Sequence, residues 1–167
     1  MQPHLFTGKF WISAIALLGL TTSLVAQPSK EEVVKLVQDK NYVFRAQSAN
    51  PTGGRTRQLT SEYDLQIKKD TVITFLPYFG RSFTAPVDPS KGGLDFTTTD
   101  FEYKETPTKK NGWNISIKPR DANDVQEMIL SVSESGYGTL MVRSNQRQAI
   151  SFYGFIDKPR EPRKKKE

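Results

Sequence analysis

Between residues 41 and 156 the chain alternates apolar and polar positions with a period of two, broken at short intervals by turn residues. The clearest case is "SEYDLQIKK" (61–69), where Tyr63, Leu65 and Ile67 share one face and Asp64, Gln66 and Lys68 the other. "NYVFRAQSA" (41–49) precedes it as a strand, across the turn "PTGGR" (51–55). "TVITFLP" (71–77) follows across Lys69-Asp70, which predicts a hairpin. "WNISIKP" (113–119) leaves an Asn111-Gly112 turn with Trp113, Ile115 and Ile117 facing inward. "VQEMILSVSES" (125–135) and "YGTLMVRS" (137–144) flank a turn at Gly136. "QAISFYGFI" (148–156) closes the series, and its two-sided apolar content predicts a strand that is central or buried on both faces.

One run does not keep its register. In "GLDFTTTDFEYKE" (93–105) Leu94 and Phe96 are even, whereas Phe101 and Tyr103 are odd. The apolar face therefore slips near Thr98–Asp100, which predicts a bulge or a break. Upstream of all the strands the period changes. Ser29 and Glu32 form a capping box, and Val33, Leu36 and Val37 share a helical face. That predicts a short helix over 29–40 with its apolar stripe on the sheet. The fold class is mainly β, at the margin of α+β: about eight antiparallel strands in a curled sheet, barrel or sandwich, with one short N-terminal helix. No internal repeat is visible.

The first residues have a different logic. Lys9 is followed by an apolar run from Phe10 to Leu20 and then by small residues ending at Ala26. This is the layout of a secretory signal peptide with cleavage after Ala26. The run falls short of the roughly 20 residues that span a bilayer, and no cysteine follows it to carry a lipid anchor. The organisation expected is a signal at 1–26, one β-rich domain at 27–156 and a basic disordered tail at 157–167. The product is expected to be soluble and periplasmic or extracellular, not membrane-spanning.

Charge changes the picture less than its total suggests. The net charge is +6, but the tail alone holds six of the 24 basic residues. Residues 27–156 carry 17 basic and 15 acidic residues, so the body is nearly neutral. A nucleic-acid binder needs a basic face on the fold itself, so nucleic acid is not an expected partner.

Absences narrow the chemistry further. His4 is the one histidine, and the chain has no cysteine. Past residue 26 there is no Ser-His-Asp or Cys-His nucleophile and no zinc site built on those ligands. No phosphate-cradling or dinucleotide motif appears, and no cofactor is expected. Carboxylate chemistry has Asp95, Asp100 and Glu102 as candidates, but Asp95 and Asp100 are five apart and do not share a regular strand face. "RDAND" (120–124) offers Asp121, Asn123 and Asp124 as oxygen ligands for calcium, or simply a turn. No metal site and no catalytic residue is assigned.

The stretch "TVITFLPYFGRSFTAP" (71–86) stands apart from the rest. Pro77 removes a ladder donor, so the strand ends there or lies on an edge. Tyr78, Phe79, Arg81 and Phe83 follow in a loop long enough to be functional. Two readings compete. In one, Tyr78, Phe79 and Phe83 plug an open end of the sheet, Arg81 pairs with a carboxylate, and Phe79→Ala costs about 3 kcal/mol. In the other, they line a pocket mouth and Arg81 reaches an anionic or sugar-like ligand. Arg147 and Tyr153 have a similar arginine-plus-aromatic makeup and are expected beside this loop.

"LPYFGRSFTAP", "GLDFTTTDFEY" and "SNQRQAISFYGFI" together resemble the exported Bacteroidota proteins grouped as domain of unknown function 4251. The resemblance covers about 31–156, with Gln146 standing between Asn145 and Arg147 of the last motif. It implies export and a compact β-rich domain, and supplies no activity and no catalytic residue. The function expected is therefore non-catalytic binding of an envelope ligand or protein, through Tyr78, Phe79, Arg81, Phe83, Arg147 and Tyr153. A structural or assembly module without a small ligand is the alternative, and a carboxylate-based hydrolase the third.

Overall fold

The computed structural model describes residues 28–83, 92–121 and 124–159. The expected signal at 1–26, residues 84–91 after Phe83, Asn123 of the calcium candidate, and the expected tail from residue 160 lie outside the described residues.

Helix α1 spans Lys30–Gln38. Its start is the capping box read from the sequence: the Ser29 hydroxyl accepts the Glu32 N–H at 3.3 Å. Val33 and Val37 are fully buried and Leu36 packs against the core, so the apolar stripe holds the helix on the sheet. At the far end the Asn41 N–H reaches the Leu36 carbonyl and the Lys40 N–H the Val37 carbonyl. This Schellman closure needs a left-handed residue, and here Lys40, at φ 49°, takes the place that glycine usually fills.

Among the described residues nine strands follow: β1 Tyr42–Pro51, β2 Arg57–Ile67, β3 Val72–Leu76, β4 Leu94–Thr98, β5 Phe101–Pro107, β6 Trp113–Pro119, β7 Val125–Val132, β8 Tyr137–Ser144 and β9 Ile150–Asp157. They form a single sheet in the order β4-β3-β2-β1-β9-β8-β7-β6-β5, antiparallel at every pairing. Every neighbour is consecutive in sequence except β1 and β9, which join the two halves. The sheet's two edges, β4 and β5, are also consecutive and are separated only by Thr99 and Asp100. The sheet therefore comes round on itself as a nearly closed up-and-down barrel.

The register slip near Thr98–Asp100 is the corner that makes this closure. Residues 94–98 pair with β3 and residues 101–107 with β6. One run in the sequence is thus two strands, which is why about eight expected strands become nine. Thr98 pins the corner, its hydroxyl accepting the Asp100 N–H at 3.1 Å and lying 3.2 Å from the Asp100 carbonyl.

The interior is filled with side chains. Tyr42, Phe44, Leu65, Ile67, Met128 and Phe152 are among the fully buried residues. A barrel of this width is just wide enough for its own side chains or for one small ligand, and this one uses the first option. Trp113, expected inward, is only half-buried at the barrel rim. Strand β9 is the middle strand of the sheet, as expected, but one face only is buried: Ile150, Phe152, Gly154 and Ile156 point in, and Tyr153 points out. Gly154 is required where β9 crosses β1, because a Cβ there would meet the Arg45 carbonyl oxygen at 2.0 Å. The domain also extends past residue 156. Asp157 is the last residue of β9, pairs with Val43, and holds Arg45 at 3.0 Å.

Candidate functional site

Strand β3 ends at Leu76, and Pro77 turns the chain out of the ladder. The Tyr78 hydroxyl then lies 2.8 Å from two carbonyl oxygens, those of Arg81 and Gln148, with its one proton to share between them. Residues 81–83 run against the β8–β9 connection as a short ribbon. Gln148 donates its N–H to Arg81 at 3.0 Å, Phe83 donates to Gln146 at 2.8 Å, and Ser82 bridges Arg147. The carbonyl of Gln146 thus anchors the loop.

Arg147 is the hub. Its guanidinium lies 5.1 Å from the centre of the Tyr78 ring. Its Nε is 2.6 Å from Asp124 Oδ2, and Nη1 donates to the carbonyls of Gly92 and Gly93 at 2.8 and 3.2 Å. Asp124 is held in turn by the Ser144 hydroxyl, and its carbonyl accepts the Asn145 N–H at 3.0 Å. With 13% of its side chain exposed, Arg147 ties four stretches of chain together at one end of the barrel. Burial raises the Tyr78 phenol above its ordinary range, and the Arg147 charge opposes that rise.

The plug reading therefore holds for Tyr78 and fails for its neighbours. Phe79 is 36% exposed and Phe83 70% exposed, so neither stops the barrel. Phe79 carries the Arg57 guanidinium 4.8 Å above its ring centre. Arg81 is exposed; its carbonyl, rather than its guanidinium, enters the network. Among the described residues it is Arg147, not Arg81, that pairs with a carboxylate. The physical reason is the ribbon: a chain paired through its backbone at 81–83 leaves those side chains outside the layer.

Beside the hub lies a groove of about 590 Å³, lined by Tyr63, Phe75, Leu76, Pro77, Tyr78 and Asp95 together with Gly92 and Gly93. Tyr63 and Phe75 stack at 5.4 Å along its wall. Asp95 is the one carboxylate among these lining residues. Asp100 is exposed at the barrel corner with Arg120 at 3.4 Å, and Glu102 is exposed on β5. Among the described residues no group of three acidic, histidine or cysteine side chains is placed to hold a metal ion. Also among them, no helix is long and apolar enough to cross a membrane.

Tyr153 does not join this end. It lies five residues along β9 from Gln148, on the order of 15 Å away for an extended chain. There it stacks on Tyr137 at 6.1 Å with the two rings nearly parallel. Both rings line a second groove, of about 380 Å³, together with Trp113.

A further cluster has no counterpart in the sequence reading. The hydroxyls of Tyr42 and Tyr103 meet at 3.3 Å, and Lys40 Nζ lies 4.8 Å from the Tyr103 ring centre. Burial raises the nearby Glu105 carboxyl above its ordinary range, and Lys40 opposes it. The usable signal was the lysine standing where the end of the helix calls for glycine.

The profile of one family, described as domain of unknown function (DUF4251), matches residues 25–156. A crystal structure of a DUF4251 family protein from Bacteroides eggerthii DSM 20697 is similar in fold, with a TM-score of 0.56 at 13% sequence identity. That match covers 77% of this chain and 87% of the other. No curated protein matches the chain.

Proposed function

This chain belongs to the DUF4251 family, and from that premise we propose that it is an exported, non-catalytic domain that binds a partner protein through the surface around Phe79, Arg81 and Phe83. The observation that carries the reading is exposure. Phe75, Phe79 and Phe83 come from a single short segment, and all three rings stand in solvent. Large apolar side chains grouped in this way mark contact surfaces. Arg57 on the Phe79 ring and the exposed Arg81 add cations at the rim. Aromatic residues and arginine are the types that dominate protein–protein contacts. The partner that fits is an extended segment with apolar side chains for the groove beside Tyr63 and Phe75 and an acidic residue for Arg81.

Three further points support the reading. The barrel interior is packed, so recognition falls to the outer surface. Among the described residues the groove has one lining carboxylate, whereas glycoside hydrolysis uses a facing pair. Residues 1–26 have the layout of a cleaved export signal.

The test is a photo-crosslinking residue placed at Phe83 in the native organism, with the exposed Met141 on β8 as control. A discrete adduct at 83, absent at 141 and lost with Arg81→Glu, is the expected result. No adduct, or the same products at both positions, overturns the docking surface. An adduct of twice the chain's own mass replaces the foreign partner with a second copy. A mature N-terminus at Gln27 in the envelope fraction supports export, and a chain retaining Met1 overturns it.

A further inference from the structure

The second groove has a composition of its own. Tyr137, Thr139 and Tyr153 alternate with the buried Gly138, Leu140, Phe152 and Gly154, so they project from the outer face of β8 and β9. Tyr137 and Tyr153 lie parallel, their planes 9° apart, and Phe155 meets Tyr137 edge-on at 6.4 Å. That second contact fixes the platform from behind. Tyr153 is 45% exposed, leaving a broad ring face in water. Trp113, half-buried at the start of β6, packs against the core and lines the groove from that side.

The rim is polar and nearly uncharged. Asn114, Ser131 and Thr139 line it, and the Ser131 hydroxyl donates to the Asn114 side-chain oxygen at 2.8 Å. That bond commits the amide oxygen and orients the amide nitrogen, with its two N–H groups, as a donor. Among the described residues that line it there is no carboxylate, and Lys110 is the one charged side chain. Its volume, about 380 Å³, falls at the small end of the range for ligand sites, roughly 300–1,000 Å³.

Each feature limits the ligand. A fixed, half-exposed aromatic face selects a flat apolar surface. Hydroxyl and amide groups that both donate and accept select a ligand with many neutral hydroxyls. The absence of acidic lining groups disfavours a cation, and a single lysine is a weak basis for holding a polyanion. One common chemistry has an apolar C–H face and a ring of hydroxyls together: the pyranose. We infer that the groove formed by Trp113, Tyr137 and Tyr153 is a binding site for a neutral hexose unit of a glycan. Tyr153 stacks on the sugar face, and Asn114 and Thr139 bond its hydroxyls. This site is separate from the proposed protein surface, and either assignment can fail without the other.

The chain provides its own reporter. It has two tryptophans, Trp11 in the signal segment and Trp113 in this groove. In full-length Trp11→Phe protein, all tryptophan fluorescence comes from the groove. Titration with maltopentaose, cellopentaose and mannopentaose is expected to give a saturable shift with at least one of them. Tyr153→Ala should weaken that binding by about tenfold, the value of one well-placed aromatic contact. Its melting temperature should be preserved, because the ring is solvent-facing. Should that variant fold poorly, Thr139→Arg, at an exposed strand position, blocks the same groove. Failure of all three pentasaccharides at millimolar concentration overturns the inference. So does binding that survives both substitutions, or a shift produced by indole and not by sugars.

Discussion

Arg147 and Tyr78 are stacked at 5.1 Å, and through that contact the last turn of the barrel is fastened to the end of its third strand. The stack is one of several bonds that converge on a largely buried guanidinium. Its removal leaves the Asp124 carboxylate without its cation and the Gly92 and Gly93 carbonyls without a donor. Arg147→Ala is therefore expected to cost about 3 kcal/mol in urea denaturation. Arg81→Ala, at an exposed side chain, should stay within about 0.5 kcal/mol.

The neighbouring aromatics divide in the same way. Tyr78→Phe keeps the ring under Arg147 but removes the donor to the Arg81 and Gln148 carbonyls, and should cost about 1 kcal/mol. Phe79→Ala loses a half-exposed ring and its contact with Arg57, a contact worth about 0.5–1 kcal/mol at an exposed site. A loss near 3 kcal/mol at Phe79 would restore the plug reading. The same denaturation series measures both.

Inside the barrel, Thr74 is fully buried and its hydroxyl has no hydrogen-bond partner among the described residues. An unpaired buried hydroxyl carries a desolvation cost and returns nothing for it. Thr74→Val keeps the shape and removes that cost. Its thermal denaturation midpoint should equal or exceed the parent's, by up to about 1 kcal/mol in stability.

Alkaline pH should find the tyrosine pair. Burial raises Tyr103 from 10.0 to about 12 and Tyr42 well above the same ordinary value. The folded state thus holds these protons more tightly than the unfolded chain does. Their contribution is complete below pH 10.0 and is lost as pH rises through the folded values, about 12 for Tyr103. Replacing both residues, Tyr42→Phe with Tyr103→Phe, removes two partners together and should change stability little at neutral pH. The double variant should also lose less stability than the parent between pH 10 and about 12, followed by circular dichroism.

Much of this molecule is legible in its sequence, and the limits have a physical origin. Alternation reports which way a side chain faces, so Tyr63, Leu65 and Ile67 were assigned to one face correctly. It does not report which strand lies alongside. The slip at Thr98–Asp100 was visible, but nothing local says that the two halves pair with β3 and β6. Arg147 was placed beside the aromatic loop by its residue type, and the ribbon at 81–83 explains why. Tyr153 was drawn to the same site by the same argument, yet five residues of extended strand carry it to another groove. Asp124 read as part of a turn because its partner, Arg147, arrives only through the fold.

The central position of β9 has a consequence for the order of events in folding. The strand that joins the two halves of the sheet is the last of the nine among the described residues. Until residues 150–157 are available, β1 lacks one neighbour and β8 lacks another, and the ring has no middle. Pairing the first strand with the last spans almost the whole domain, and such distant contacts form slowly. A growing chain of this design keeps its sheet in two unjoined halves until residues 150–157 have been made.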